Sequence, residues 1–311
     1  MTTALLTHPA CLLHTNPPAH PERVERLKVV DAALSGARFA PLRRVEAPDC
    51  VDADILLAHP KRYLDRVKTA APARGYHALD PDTHMAPGTL EAAFRAIGAN
   101  IRAVDMVLDG EVRNAFAAIR PPGHHAEAET PMGFCIFGNV SIAAKHALER
   151  RGLGRVAIVD FDVHHGNGTQ NLVGDDARIF FASTHQMPLY PGSGAASETG
   201  AHGNIVNVPL APGSDGAVFR REVEARILPA LRAHRPELIL ISAGFDAHRD
   251  DPLAQLNLLE EDYIWITNQL CDVADTCAGG RVVSTLEGGY DLEALASSVA
   301  AHVDVLMERG E

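Results

Sequence analysis

The segment RVAIVDFDVHHGNGTQ, residues 155–170, begins as core and ends as chemistry. Val156-Ala157-Ile158-Val159 is apolar throughout, without the alternation of a half-exposed strand, so it reads as a strand buried on both faces. Such a strand belongs to a parallel sheet with helices above and below it. The run then delivers Asp160, Asp162, His164 and His165 before Gly166 and Gly168 break it. In open α/β sheets the binding crevice lies beyond the carboxyl ends of the strands, which is where these polar residues fall.

The same alternation continues along the chain. Strands are expected at 4–7, 115–119, 156–161, 179–183, 205–208, 238–242 and 282–286, and helices at 22–34, 90–108, 140–150, 217–233, 260–276 and 292–307. Strand and helix in turn imply an α/β fold: a single three-layer α/β/α domain over residues 1–311 with a mainly parallel central sheet. No internal repeat, low-complexity tract or interdomain linker interrupts it. Segments 80–88 and 187–203, rich in Pro, Gly, Ser and Thr, read as long loops of the kind that carry function.

Four of the expected strands end in glycine plus an ionisable group. RPPGHHAE with His124 and His125 follows 115–119, and the opening segment follows 156–161. AGFDAHRDDP with Asp246 follows 238–242, and EGGYD with Tyr290 follows 282–286. Side chains two apart on a strand share a face, so Asp160, Asp162 and His164 point the same way. Asp162 and His164 with Asp246 would give three ligands and leave an open position, the catalytic arrangement for zinc. Asp160, farther down the strand, suits an acceptor that orients an imidazole. The competing reading makes the aspartates turn caps and the histidines solvated loop residues. The recurrence at four strand ends argues against it, because so many buried polar groups need partners or a metal.

The bulk numbers exclude other classes. The 311 residues are 46% hydrophobic and 22% charged, enough for a sizeable core, and the formal charge of −12 is the wrong sign for a nucleic-acid footprint. Five scattered cysteines without a CxxC pair suggest neither a disulfide framework nor a thiolate zinc site. No signal peptide is expected at the N-terminus, and no apolar run approaches the roughly 20 residues that cross a bilayer. A cytoplasmic location without membrane or nucleic-acid partners is the expectation; a homo-oligomer is left open.

RPPGHHAE, GFC (133–135), DFDVHHGNGTQ, SAGFDAH and LEGGY, with HPERVERL at 20–27, together resemble the histone deacetylase family of arginase/deacetylase fold. The HHGNGTQ form is similar to the class II branch and its bacterial relatives. The resemblance implies one Zn²⁺ held by Asp162, His164 and Asp246. It also implies His125 as general base and acid, His124 as its electrostatic partner oriented by Asp160, and Tyr290 as the group polarising the substrate carbonyl. Gly133, Phe134 and Tyr190 would line the tunnel for an acyl-lysine chain, and Asp82 would bind a substrate backbone amide. A K⁺ ion is implied near Asp160, Asp162, His164, Ser183 and Thr184. The implied reaction is hydrolysis of an acyl-lysine amide by metal-activated water. The alternative is the same chemistry on an acetylpolyamine or another small amide.

Two departures refine this. Arginases carry Asp-x-His-x-Asp for two ions, and here Gly166 stands at the last position, which favours one metal. Polyamine-deacetylating relatives carry Glu where this chain has Leu253, so the gatekeeper leans towards acyl-lysine peptides. Elsewhere, His8, His14, His59, His77, His146, His234 and His302 read as solvated or locally hydrogen-bonded, and His20 as shaping a helix entry. His165 reads as buried and hydrogen-bonded, and His185 and His248 as lying near the site. Cys135 reads as a small buried apolar residue, and Gly288-Gly289 as a permissive hinge before Tyr290.

Overall fold

A computed structural model describes residues 2–310. Among the described residues ten strands form in chain order: β1 Thr3–Thr7, β2 Arg43–Glu46, β3 His77–Ala78, β4 His84–Met85, β5 Asn114–Ala117, β6 Val156–Asp160, β7 Ile179–Gln186, β8 Ile205–Leu210, β9 Leu238–Ala243 and β10 Val282–Leu286. Eight of them make one sheet in the order β2-β1-β5-β10-β9-β6-β7-β8, parallel at every pairing. β3 and β4 form a separate antiparallel pair. Among the described residues no helix is long and apolar enough to cross a membrane.

Adjacent residues of β10 show that helices cover the sheet on both faces. Ser284 Oγ meets His302 Nε2 at 2.8 Å on helix 292–310, whereas Thr285 hydrogen-bonds Asn100 on helix 89–108. One helical layer is built from 24–34, 260–277 and 292–310, which pack against one another; the other contains 89–108 and 139–149. β6, β9 and β10 are buried along their whole length. The expected helix at 217–233 forms as a continuous helical run, 216–234, with a π turn at Val223–Ile227 just ahead of Pro229. Proline has no N–H for the i−4 bond, and a local change of register accommodates that loss.

Three histidines read as solvated or locally bonded, His14, His59 and His302, are buried within 1% exposure. For His59 and His302 the second alternative holds: His59 faces the Ala128 carbonyl at Nδ1 and receives the Gly138 N–H at Nε2, and His302 lies between Thr267 and Ser284 hydroxyls. Burial pushes His59 down to about 4 and His302 down to about 3, from an ordinary value of 6.5. The unfolded chain therefore binds protons that the folded chain refuses. Stability is complete above pH 6.5 and declines as pH falls towards these folded values, by about 1.4 kcal/mol per pH unit for each such group. Thermal midpoints of the parent and His302→Gln across this window check the expectation. The variant should start lower at neutral pH and fall less steeply, whereas parallel curves would contradict a neutral buried His302.

Candidate active site

The four strands with polar ends are the four contiguous central strands, β5-β10-β9-β6. Strand β5 is followed in the chain by β6, but β10 and β9 lie between them, so the chain leaves a crevice at their carboxyl ends. Asp162, His164 and Asp246 converge there, each offering a ligand atom within 4.8 Å of the others. His164 Nδ1 lies 3.2 Å from both Asp162 Oδ1 and Asp246 Oδ2. Both carboxylates are fully buried and are held by main-chain donors: Gly288 N–H to Asp162 Oδ2 at 2.8 Å, and Val163 N–H to Asp246 Oδ1 at 2.9 Å.

No lysine or arginine pairs with either carboxylate among the described residues. Burial disfavours charge on His164, yet the Asp162 and Asp246 carboxylates outweigh it and lift the imidazole to about 10. The cluster thus demands a positive charge at its centre. Two oxygen donors and one imidazole nitrogen, buried and convergent, fit a divalent ion of the zinc type.

Asp160, at the end of β6, does not join them. Its Oδ2 lies 3.0 Å from His124 Nδ1, and its Oδ1 accepts the Asp162 N–H. Burial opposes charge on His124, but Asp162 and Asp160 outweigh it and hold the imidazole well above its ordinary value. His125 behaves oppositely: burial and then the neighbouring His124 charge keep it well below its ordinary value. Its Nδ1 is 2.8 Å from Asn167 Oδ1, and the Asn167 amide is oriented by donating to Glu127 Oε1 at 2.8 Å. His125 therefore carries its proton on Nδ1 and turns a free Nε2 lone pair away from Asn167.

A cavity of about 220 Å³ leads to this cluster, lined by Asp82, His125, Gly133, Phe134, His164, Leu189, Tyr190, Leu253 and Tyr290. Every residue expected along a tunnel borders it. Gly133 and Phe134 both take left-handed backbone, φ +55° and +68°, and a Cβ on Gly133 would strike the His125 ring. Asp82 fastens this loop by accepting the Gly133 N–H at 3.2 Å. His20 stands ahead of helix 24–34, which begins beyond Pro21, and receives the Glu22 N–H at Nδ1, 3.1 Å; its Nε2 meets the Asp82 carbonyl at 3.0 Å and its ring packs edge-on to Phe134. Tyr290 sits with its ring 4.9 Å from the Arg26 guanidinium and 5.9 Å from Phe134. Burial raises its phenol well above the ordinary value, so it stays a neutral donor.

Ser183 and Thr184 are buried on β7, with Ser183 in register beside Asp160. His165 is buried and bonded to Ser193 and Gln170, as read, and His185 to Ser183 and Gly194. Cys135 is fully buried. The glycine pair needs correcting. Gly289 has φ +122°, but Gly288 is no hinge: a Cβ there would collide with the Asp246 and Asp162 carboxylates, so glycine is required for close approach.

Several residues escaped the sequence reading. Glu287, wholly buried and pushed up to about 7 by burial, accepts the Gly123 and His124 N–H groups and so shapes the double-histidine loop. Arg26 donates to the Gly289 and Glu287 carbonyls at 2.6 and 2.5 Å and pairs with Glu22, which also binds Arg120. The i,i+4 spacing of Glu22 and Arg26 was the available signal for that network. Asp251 is buried and accepts the Tyr290 N–H.

A model of the histone deacetylase domain matches residues 20–306. An uncharacterised protein of Synechocystis sp. is 44% identical over 300 residues, covering 95% of this chain and 96% of its own length. The histone deacetylase-like amidohydrolase of Pseudomonas aeruginosa is 40% identical over 275 residues, 87% of this chain and 71% of that protein. The crystal structure of the HDA15 HD domain matches with a TM-score of 0.94 at 33% identity, covering 99% of this chain and 89% of that one.

Proposed function

The chain belongs to the histone deacetylase family and is a deacetylase, and from that premise we propose that it is a zinc-dependent amidohydrolase removing acyl groups, acetyl above all, from lysine side chains. The observation that carries this reading is the cavity of about 220 Å³ whose lining joins Phe134, Leu189, Tyr190 and Leu253 to His125, His164 and Tyr290. An extended aliphatic chain with an amide at its tip suits such a passage, and a bulky head group does not.

A divalent ion held by Asp162, His164 and Asp246 would supply Lewis acidity, polarising the acyl carbonyl and acidifying nearby water. His125 Nε2 takes the proton from the attacking water as its oxygen bonds to the acyl carbon. Tyr290 Oη donates to the carbonyl oxygen as negative charge develops there. The C–N bond then breaks while His125 returns that proton to the leaving amine, releasing a free amine and a carboxylic acid that gives its remaining proton to solvent as the carboxylate. His124, held charged by Asp160 and Asp162, keeps His125 neutral and ready to accept. At the rim, Asp82 is the acceptor proposed for a substrate amide N–H. The turn holding Asp160, Asp162 and His164, beside Ser183 and Thr184, is the place proposed for K⁺.

An acetyl-lysine peptide and N-acetylputrescine, compared as substrates, test the assignment. With the apolar Leu253 at the tunnel, the peptide is expected to have a kcat/KM higher by roughly tenfold or more. The reverse order would make the chain a small-amine deacetylase with the same chemistry.

A further inference from the structure

The loops that follow β9 and β10 run together as far as the Phe245 N–H to Gly288 carbonyl bond, 3.0 Å, and then separate. Beyond that point no main-chain hydrogen bond joins them among the described residues. Yet these are the segments that carry Leu253 and Tyr290 to the same cavity. One side chain spans the gap. Asp251 Oδ1 accepts the Leu253 N–H at 3.0 Å, while Oδ2 accepts the Tyr290 N–H at 2.7 Å and the Asp291 N–H at 3.3 Å.

The carboxylate is 5% exposed and has no lysine or arginine partner within 4 Å among the described residues. Its partners are therefore backbone donors on both sides of the tunnel. Asp291 next uses its own carboxylate to cap the following helix through the Glu293 and Ala294 N–H groups. The Tyr290 peptide is thereby clamped between Asp251 and a rigid helix start. Only a carboxylate offers acceptors on both oxygens; an amide would turn its NH₂ towards an N–H.

We infer that Asp251 is a positioning residue that holds the Tyr290 hydroxyl and the Leu253 wall in register across the tunnel. It rests on the role proposed for Tyr290 and acts through that residue, without touching substrate.

A double-mutant cycle on the metal-loaded enzyme, with an acetyl-lysine peptide, tests this. Asp251→Ala should lower kcat by roughly 10- to 100-fold, as expected when buried N–H groups lose their acceptor, with the divalent ion content unchanged. In a Tyr290→Phe background, where there is no hydroxyl to position, the same change should cost less than about threefold. Equal losses in both backgrounds would overturn the inference, because a general packing defect multiplies through. Asp251→Asn keeps the shape and covers the case in which the alanine variant does not fold. In that variant, amide hydrogen exchange should speed up at Leu253, Tyr290 or Asp291 and nowhere distant. Unchanged exchange at all three would equally overturn it. The exchange experiment does not depend on the substrate, so a parent without turnover would sink the proposed reaction and still leave Asp251 tested.

Discussion

Tyr290→Phe is expected to lower kcat by roughly 10² to 10³, the usual cost of removing one hydrogen-bond donor aimed at a developing oxyanion. The change deletes one oxygen. The ring keeps its seat between Arg26 and Phe134, so the tunnel wall and the bound divalent ion should be unaffected. Among the described residues no group takes the Tyr290 hydroxyl as a hydrogen-bond partner, which leaves it free for the substrate. KM should move little, because ground-state binding depends on the tunnel and not on this hydrogen bond. Steady-state kinetics with metal analysis of the same preparation provide the check. Activity within about threefold of the parent would mean that carbonyl polarisation has another source.

Asp246→Ala is expected to be more severe, abolishing both tight divalent-ion binding and turnover. Two of the three ligand atoms come from one turn, Asp162 and His164, and Asp246 alone brings in the neighbouring strand. Without it His164 loses one of its two carboxylate partners, and the remaining pair cannot enclose an ion. The loss in kcat/KM should be at least about 10³-fold, since nucleophile activation and carbonyl polarisation are lost together. Metal content and activity measured on one preparation check this. A variant that keeps its ion, or one that loses it but still turns over, would show that Asp246 is not part of the centre.

How much of this was legible in sequence differs from residue to residue. The apolar strands were visible because burial on both faces leaves no alternation, and β10 falls at the expected residues 282–286. The adjacency of β5, β10, β9 and β6 was not legible, since strand order depends on contacts far apart in the chain. Edge strand β2, Arg-Arg-Val-Glu, was missed because an exposed edge needs no apolar run. The helix Lys61–Ala70 was missed for a similar reason: only Tyr63, Leu64 and Val67 are buried amid charged residues.

The convergence of Asp162, His164 and Asp246 followed from strand-end spacing, whereas their main-chain supports could not be read. Gly288 looks like any flexible glycine until the Asp246 carboxylate is seen against it. Asp251 and Glu287 sit in motifs whose other members draw attention first. Both matter through backbone N–H groups, which leave no mark in a sequence. The histidines were hard to sort because an imidazole can be buried at low cost when two neutral partners meet its nitrogens, as Thr267 and Ser284 do for His302.

The most direct measurement is the metal content of the purified chain by elemental mass spectrometry, followed through chelation and reconstitution alongside deacetylation. One divalent ion per chain is expected, with activity lost on chelation and restored by Zn²⁺ or a similar divalent ion. Two ions per chain, or full activity after the metal has been removed, would contradict a single ion held by Asp162, His164 and Asp246.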